Sequence, residues 1–331
     1  MSSTAIADTF IVSANDQARM LSEADDWIDE MPDGLQDKLS DAVAHSLRGF
    51  YSELNYFRNQ SLQDTTPYSN VKTTQLNIKD ANIKVRLYCQ KGKENDNSKP
   101  LLIYFHGGGW TMGSMNASDK FCRAIVATGI VDIASVDYPL APETYYADII
   151  NKSSQAVRFL NFYFKNKRKI EIGGDGAGGN LAISVFYNLQ KHAPSIKINS
   201  LILYYPLLSV NQDRNVDSWR KYSRGYGLDG RVMESYSVAY GAQPDSSDYI
   251  TSISQLTDTN IKKLPPILII MSGRDIIIDE EKSFIKRLNK NGVKVQSVEF
   301  NGAIHGFITD NNQPTAFKKA VELTKLFLKD K

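Results

Sequence analysis

The stretch IEIGGDGAGGNLAI, residues 170–183, joins an apolar run, a glycine-rich turn and the start of a helical pattern. Taken literally, the turn fits G-x-G-x-x-G, the fingerprint of dinucleotide-binding βαβ units, with Gly174, Gly176 and Gly179 as its glycines. With one residue changed, it fits G-x-S-x-G, the nucleophile elbow, with glycine at position 176 instead of serine. The two interpretations predict different functions, and the rest of the chain distinguishes them.

Short apolar runs alternate with helical segments on both sides of this turn. The runs VKTTQLNI and IKVRLYC are split by KDAN and predict a β-hairpin, and six further strands follow: LLIYF, IVDIASV, KIEIGG, SLILYYP, PPILIIM and VKVQSVEF. Such alternation is typical of βα units with a mainly parallel sheet. We therefore predict an α/β fold, an eight-stranded, mostly parallel sheet with helices on both faces.

Two regions interrupt this alternation. Residues 1–60 are polar, with apolar side chains mostly at helical spacing. Residues from about 210 to 255 are rich in Tyr, Ser, Asp and Gly and contain one short helical stretch. We predict that the first region forms N-terminal helices and that the second is an insertion between strands of a domain spanning residues 61–331.

The composition is that of an ordinary globular protein of 331 residues, with 42% hydrophobic and 23% charged residues. A formal net charge of +2 is too small to indicate a nucleic-acid partner. No apolar run has the roughly 18 residues of a membrane-spanning helix, and the N-terminus lacks the pattern of a signal peptide. We expect no nucleic-acid or membrane partner, no cofactor or metal, and a cytoplasmic location.

Ligands of open α/β sheets bind beyond the carboxyl ends of the strands, so the residues that follow each strand are candidates for a site. LLIYF is followed by HGGGW, residues 106–110, whose glycine N–H groups can approach a ligand and stabilise an oxyanion. Asp275 follows PPILIIM closely, and His305 follows VKVQSVEF. An acid so placed can orient an imidazole, and in α/β-hydrolases both residues come after the nucleophile in the chain.

The dinucleotide interpretation needs an acidic residue roughly 20 residues beyond the turn, to hold the ribose hydroxyls. No acidic residue lies between Asp175 and Asp213. Lys191 or Lys197 could accommodate a phosphorylated ribose, but HGGGW and His305 would then have no role. The sequence therefore favours the nucleophile elbow.

Six segments together resemble the hormone-sensitive-lipase-like branch of the α/β-hydrolases, close to the bacterial acetyl esterases. They are VRLY at 85–88, YFHGGGW at 104–110, VDYPLAPE at 136–143, GDGAGGNLA at 174–182, LPPILIIMSGRDIIIDE at 264–280 and HGF at 305–307. The resemblance implies an esterase acting on a small-molecule ester with a short acyl chain, through a Ser-His-Asp acyl-enzyme mechanism. It also implies a cap, formed by residues 1–60 and 210–255, that closes the acyl pocket, and a homodimer formed through the last strand.

The resemblance assigns a role to each candidate site residue. Asp275 is the triad acid and His305 the base, and the oxyanion donors are the N–H groups of Gly107 and Gly108, completed by Ala177. Three aromatic residues are candidates for the pocket wall or for the core. They are Trp110, Tyr222 and Tyr236.

The chain departs from the family pattern at two positions. Pro139 stands where the family carries arginine, so a local salt bridge is not expected here. Gly176 stands at the position of the nucleophilic serine. Glycine adopts the positive φ of an elbow without strain, so the turn should survive. Because glycine has no atom that can form an acyl-enzyme, the chain as written is predicted to be inactive.

Three explanations of Gly176 remain open at this point. The chain is an esterase whose serine was replaced, either deliberately or by natural loss. Alternatively, it is a non-catalytic protein that binds a small molecule in the esterase pocket. The third explanation is a lyase, or a hydrolase that uses Asp175 as its reacting group.

Overall fold

The computed structural model describes residues 11–60, 68–94, 96–211, 213–241, 251–309 and 313–330. Its strands, numbered in chain order, are β1 Val71–Ile78, β2 Ile83–Gln90, β3 Leu101–Phe105, β4 Asp132–Asp137, β5 Ile170–Asp175, β6 Ile198–Tyr204, β7 Ile267–Arg274 and β8 Val295–Ile304. They form one sheet in the order β1-β2-β4-β3-β5-β6-β7-β8. β2 is antiparallel to β1 and to β4, and the strands from β3 to β8 are parallel. The predicted eight-stranded, mostly parallel sheet is confirmed.

The α-helices of the described residues are α1 Ala14–Glu30, α2 Leu35–Ser46, α3 Ser52–Asn59, α4 Asp119–Ala127, α5 Tyr146–Tyr163, α6 Ala177–His192, α7 Asp217–Tyr222, α8 Gly230–Tyr240, α9 Asp258–Ile261, α10 Ile278–Lys290 and α11 Pro314–Lys329. Local chemistry sets the start of α1. The Ser13 side chain accepts from the Asp16 N–H and caps α1. Within the described part of the chain, no helix has both the length and the apolar character needed to cross a membrane.

Helices cover both faces of the sheet, as predicted. The side chains of β3 are buried on both sides, and successive ones alternate between two hydrophobic clusters. Ile103 and Phe105 pack with residues of α5, α6 and α10. Leu102 and Tyr104 pack with residues of α4 and α11 on the opposite face. Because neighbouring side chains of a strand point to opposite faces, a central strand between two helical layers is apolar throughout.

The N-terminal helices have two environments. α1 contacts β8 and α11, whereas α2 contacts α3 and α8. The apolar residues at helical spacing between 35 and 54 fall in two helices, α2 and α3. Gly49, which lies between them, has a φ of 90° that a right-handed helix cannot contain. The division into cap regions and a hydrolase domain stays a prediction. Residues 1–10, 212 and 242–250 of the predicted cap regions lie outside the described residues.

Helix α1 lies against β8, which is an edge strand of the sheet. The Gln17 side-chain amide donates to the Glu299 carbonyl at 3.0 Å, and its oxygen accepts from the Gly302 N–H at 3.4 Å. An exposed edge strand offers such backbone groups to a second chain. A second copy of the chain could pair with these two backbone groups only by displacing the Gln17 side chain. The predicted homodimer through the last strand would therefore require that displacement wherever it uses these groups.

Gly178, the second residue of α6, lies against the end of β3. A Cβ at this position would come within 2.5 Å of the His106 carbonyl oxygen and still closer to that of Phe105. Both are backbone atoms, so the strand end itself would have to move. We expect Gly178→Ala to lower the free energy of unfolding by about 2–3 kcal/mol, measured by urea denaturation.

The control for this change is Gly292→Ala. Gly292 has a positive φ, of 74°, which Gly178 does not have, and no atom lies within 4 Å of an added Cβ. This control should lose only about 1 kcal/mol, the cost of the left-handed conformation. Equal losses in the two variants would contradict the close approach of α6 and β3.

Candidate active site

The turn between β5 and α6 is a sharp elbow centred on Gly176. This residue has φ 51° and ψ −117°, a combination that residues with a side chain adopt only under strain. Its N–H donates to the Tyr204 carbonyl at 3.0 Å, and its carbonyl accepts from the Leu207 N–H at 3.0 Å. The elbow predicted from the sequence is therefore present, and glycine forms it without strain.

The predicted acid and base are joined by a hydrogen bond. Asp275 follows β7 directly, and His305 follows β8 directly. His305 Nδ1 lies 2.6 Å from Asp275 Oδ2, with the Asp275 side chain fully buried and that of His305 19% exposed. The Ile277 N–H donates to the other carboxylate oxygen at 3.3 Å. A carboxylate held in this way orients the imidazole and stabilises its protonated form.

The other imidazole nitrogen faces the elbow. A Cβ built on Gly176 would lie 3.3 Å from His305 Nε2. A serine hydroxyl on that Cβ could therefore reach the nitrogen at a hydrogen-bond distance of about 2.6–3.2 Å. Positions 176, 275 and 305 are far apart in the chain, and the structure brings them together because β5, β7 and β8 are parallel and end at the same edge of the sheet.

The structure distinguishes the three predicted oxyanion donors. The Gly107 N–H donates to Asp175 Oδ1 at 3.0 Å, so the prediction of Gly107 as an oxyanion donor is wrong. Gly107, Gly108 and Ala177 border a cavity at the elbow, and so does Gly109, to which the resemblance assigns no role. In the described structure, no acceptor is hydrogen-bonded to the N–H groups of Gly108, Gly109 and Ala177. In the sequence the three glycines of HGGGW are equivalent, and the position of Asp175 distinguishes them.

Asp175 supports the glycine loop. Its buried carboxylate accepts from the Tyr104 hydroxyl at 2.6 Å as well as from the Gly107 N–H. Burial raises the pKa of Asp175 to about 6, although these two hydrogen bonds and the nearby His305 act to lower it. A carboxylate engaged in this way is suited to hold the loop, and this geometry favours a structural role over that of a nucleophile.

The cavity at the elbow has a volume of about 250 Å³. Leu228, Met233 and Tyr236 border it on the side of the predicted insertion. Tyr236 packs so closely on Gly109 that a Cβ there would overlap its ring. Of the other two aromatic candidates, Trp110 is fully buried and stacks on Tyr240, and Tyr222 lies outside the cavity lining.

Tyr205, the first residue after β6, also belongs to the site and was missed by the sequence analysis. Its ring centroid lies 4.6 Å from that of His305, and its Cε2 would lie 3.9 Å from a Cβ on Gly176. Its position after a strand was the one signal that could have found it. Among the described residues, no group of three or more His, Cys, Asp or Glu side chains is arranged to hold a metal ion.

Comparison with known proteins shows the family. The family model for the alpha/beta hydrolase fold, Abhydrolase_3, matches residues 102–309, which is more than half of the chain. The chain belongs to the carboxylesterase branch of the α/β-hydrolase family. The resemblance seen in the sequence motifs is thereby confirmed, and by family this α/β-hydrolase is a hydrolase of the carboxylesterase type.

Relatives of this α/β-hydrolase include viral and archaeal proteins. It is 30% identical over 275 residues to a protein of Acanthamoeba polyphaga mimivirus named as an alpha/beta hydrolase, covering 80% of this chain and 75% of that one. It is 25% identical to an arylesterase of Saccharolobus solfataricus, over 80% of this chain and 84% of that one. The solved structure of a thermostable esterase from Pseudomonas putida matches with a TM-score of 0.73 and 22% identity, covering 91% of this chain and 98% of that chain. This last likeness shows the shared fold.

Proposed function

We propose that the site is that of a short-chain carboxylic ester hydrolase whose nucleophile position is occupied by Gly176, so that the chain as written is inactive. The observation that carries the proposal is the orientation of the His305 imidazole. Its Nδ1 is hydrogen-bonded to Asp275, and its Nε2 lies 3.3 Å from a Cβ built on Gly176. The test is hydrolysis of p-nitrophenyl acetate and butyrate by the Gly176→Ser variant. The proposal requires this variant to be far faster than the unchanged chain.

The reaction that this geometry supports begins at a serine hydroxyl at position 176. His305 Nε2 would take the hydroxyl proton as the oxygen attacks the ester carbonyl, and Asp275 would stabilise the imidazolium. The N–H groups of Gly108, Gly109 and Ala177 would receive the oxyanion of the tetrahedral intermediate. The imidazolium would then protonate the leaving alcohol, and water would release the acid in a second round. With Gly176 no acyl-enzyme can form, and a water molecule activated by His305 would be a slow substitute.

A second function is favoured by Gly176 itself. The cavity combines N–H donors that have no acceptor among the described residues with an oriented imidazole, and position 176 carries no hydroxyl. A small ester or carboxylate could bind there without being hydrolysed. A thermal-shift screen of short-chain esters and carboxylates with the unchanged chain tests this function. A ligand that stabilises the protein at micromolar concentration and is recovered intact supports a binding protein.

The short acyl chain is proposed from the size of the cavity. At about 250 Å³ it is smaller than the roughly 300–1,000 Å³ of pockets that hold drug-sized ligands. In the Gly176→Ser background, we expect Tyr236→Ala to open this space and to raise kcat/KM for p-nitrophenyl octanoate relative to acetate about tenfold. Two additional buried methylenes, at about 0.8 kcal/mol each, account for that factor.

Tyr222→Ala is the matched control for this prediction, because it removes an aromatic ring that does not border the cavity. Its chain-length profile should equal that of Gly176→Ser alone. An unchanged profile in Tyr236→Ala would show that Tyr236 does not limit the acyl chain. A cytoplasmic location and a homodimer stay proposals from the sequence.

A further inference from the structure

Arg58, near the end of α3, reaches from the N-terminal helices to the loops after β3 and β4. Its Nε donates to the Thr111 carbonyl and its Nη2 to the Ala141 carbonyl, both at 2.8 Å. Nη1 and Nη2 also hold the two oxygens of Glu143 at 2.6 and 2.9 Å, and Nη1 donates to Asn55 Oδ1 at 3.3 Å. All five N–H donors of the guanidinium are therefore engaged.

The Thr111 carbonyl belongs to the segment that carries the proposed oxyanion donors, and the Ala141 carbonyl belongs to the neighbouring loop after β4. The Thr111 and Met112 N–H groups both donate to the Gly108 carbonyl, at 3.1 and 2.8 Å, and close a tight turn around Gly109. The Ala141 N–H donates to the Trp110 carbonyl at 2.9 Å. Arg58 thus ties this turn to the neighbouring loop, and a shift of the guanidinium would be transmitted to the glycine N–H groups.

This arrangement requires arginine. The Arg58 side chain is 15% exposed. Its planar guanidinium donates hydrogen bonds to a carboxylate and two carbonyls that lie in different directions. An ammonium group is a single point on a flexible chain and cannot reach all three together.

We propose that Arg58 is a positioning residue for the oxyanion-stabilising loop, so that stabilisation of the transition state depends on the N-terminal helix α3 as well as on the sheet. The inference rests on the proposed esterase function. An oxyanion exists in the transition state and in the tetrahedral intermediate but not in the bound ester. Loosening of the loop should therefore act on kcat more than on KM.

The first test compares two arginine-to-lysine changes in the Gly176→Ser protein. Arg58→Lys is expected to lower kcat about tenfold or more and to leave KM within about twofold, since small misplacements of donors are costly to the rate. Arg231→Lys is the control. Arg231 also joins the N-terminal helices to another element, through Asp37 and Asp41, but donates to neither loop. Equal kcat values in the two variants would overturn the proposal.

The second test is independent of catalysis and uses the chain with Gly176. Hydrogen exchange of the Thr111 and Met112 amides reports the turn directly, and Arg58→Lys should accelerate it about tenfold while exchange in β5 stays unchanged. If Gly176→Ser hydrolyses no ester, the proposed function fails but this measurement still decides the role of Arg58. Exchange at these amides no faster than in Arg231→Lys overturns the inference. If Arg58→Lys does not fold, Glu143→Gln, which removes one partner of the guanidinium, replaces it in both tests.

Discussion

The Gly176→Ser variant is expected to hydrolyse p-nitrophenyl acetate on the order of 10⁴ to 10⁶ times faster than the unchanged chain. Removal of a triad serine costs up to about 10⁶ in turnover, and the reverse change should recover most of this factor where the acid, base and donors are in place. The 3.3 Å between His305 Nε2 and a Cβ at position 176 leaves room for a hydrogen-bonded hydroxyl. The same change should lower the free energy of unfolding by about 1–3 kcal/mol, because serine at a φ of 51° is strained.

The control for this prediction is Gly176→Ala. Alanine adds the same Cβ and comparable backbone strain but no hydroxyl, so this variant should be as inactive as the unchanged chain. A burst of p-nitrophenolate close to one equivalent per chain, seen with serine alone, would identify the acyl-enzyme. A folded Gly176→Ser protein no faster than Gly176→Ala would contradict the esterase proposal and leave the binding function as the better explanation.

The second large effect is expected from Asp275→Asn in the Gly176→Ser background, with a fall in kcat of about 10⁴. Asp275 is fully buried and its Oδ2 lies 2.6 Å from His305 Nδ1. An asparagine there could present an N–H to Nδ1 and would stabilise the tautomer that carries its proton on Nε2, which cannot accept the proton of a serine. The measurement is steady-state hydrolysis of p-nitrophenyl acetate.

Asp279→Asn is the matched control for this change. Asp279 lies four residues further on and accepts from the Ser218 N–H at 2.8 Å, a hydrogen bond that an asparagine oxygen can also accept. We expect its kcat to stay within about threefold of that of Gly176→Ser. Equal rates for Asp275→Asn and Asp279→Asn would show that the hydrogen bond between Asp275 and His305 has no part in catalysis.

The sheet and the positions of the elbow, acid and base could be predicted because each depends on a local pattern. Alternating apolar runs define β5, β7 and β8, and each of the three positions is the first residue beyond one of these strands. Parallel strands place such residues at a common edge, so the order of the motifs along the chain was enough to predict that positions 176, 275 and 305 meet. The hydrogen bond of His305 to Asp275 agrees with that prediction.

The error at Gly107 and the omission of Arg58 have a different cause. Which glycine N–H stays free depends on Asp175, which is 68 residues away in the chain, and the loop is held by Arg58, which lies 53 residues before Thr111. Nothing in HGGGW itself indicates either contact.

The sequence by itself therefore determined the α/β-hydrolase sheet, the elbow and the glycine at its centre, because periodicity and residue identity are properties of short segments. The tertiary structure decided which glycine N–H group is bonded to Asp175, that Tyr236 borders the cavity, and how α3 holds the glycine loop. These features arise from side chains that meet across the fold, and the directions of individual hydrogen bonds exist only once the helices have packed on the sheet.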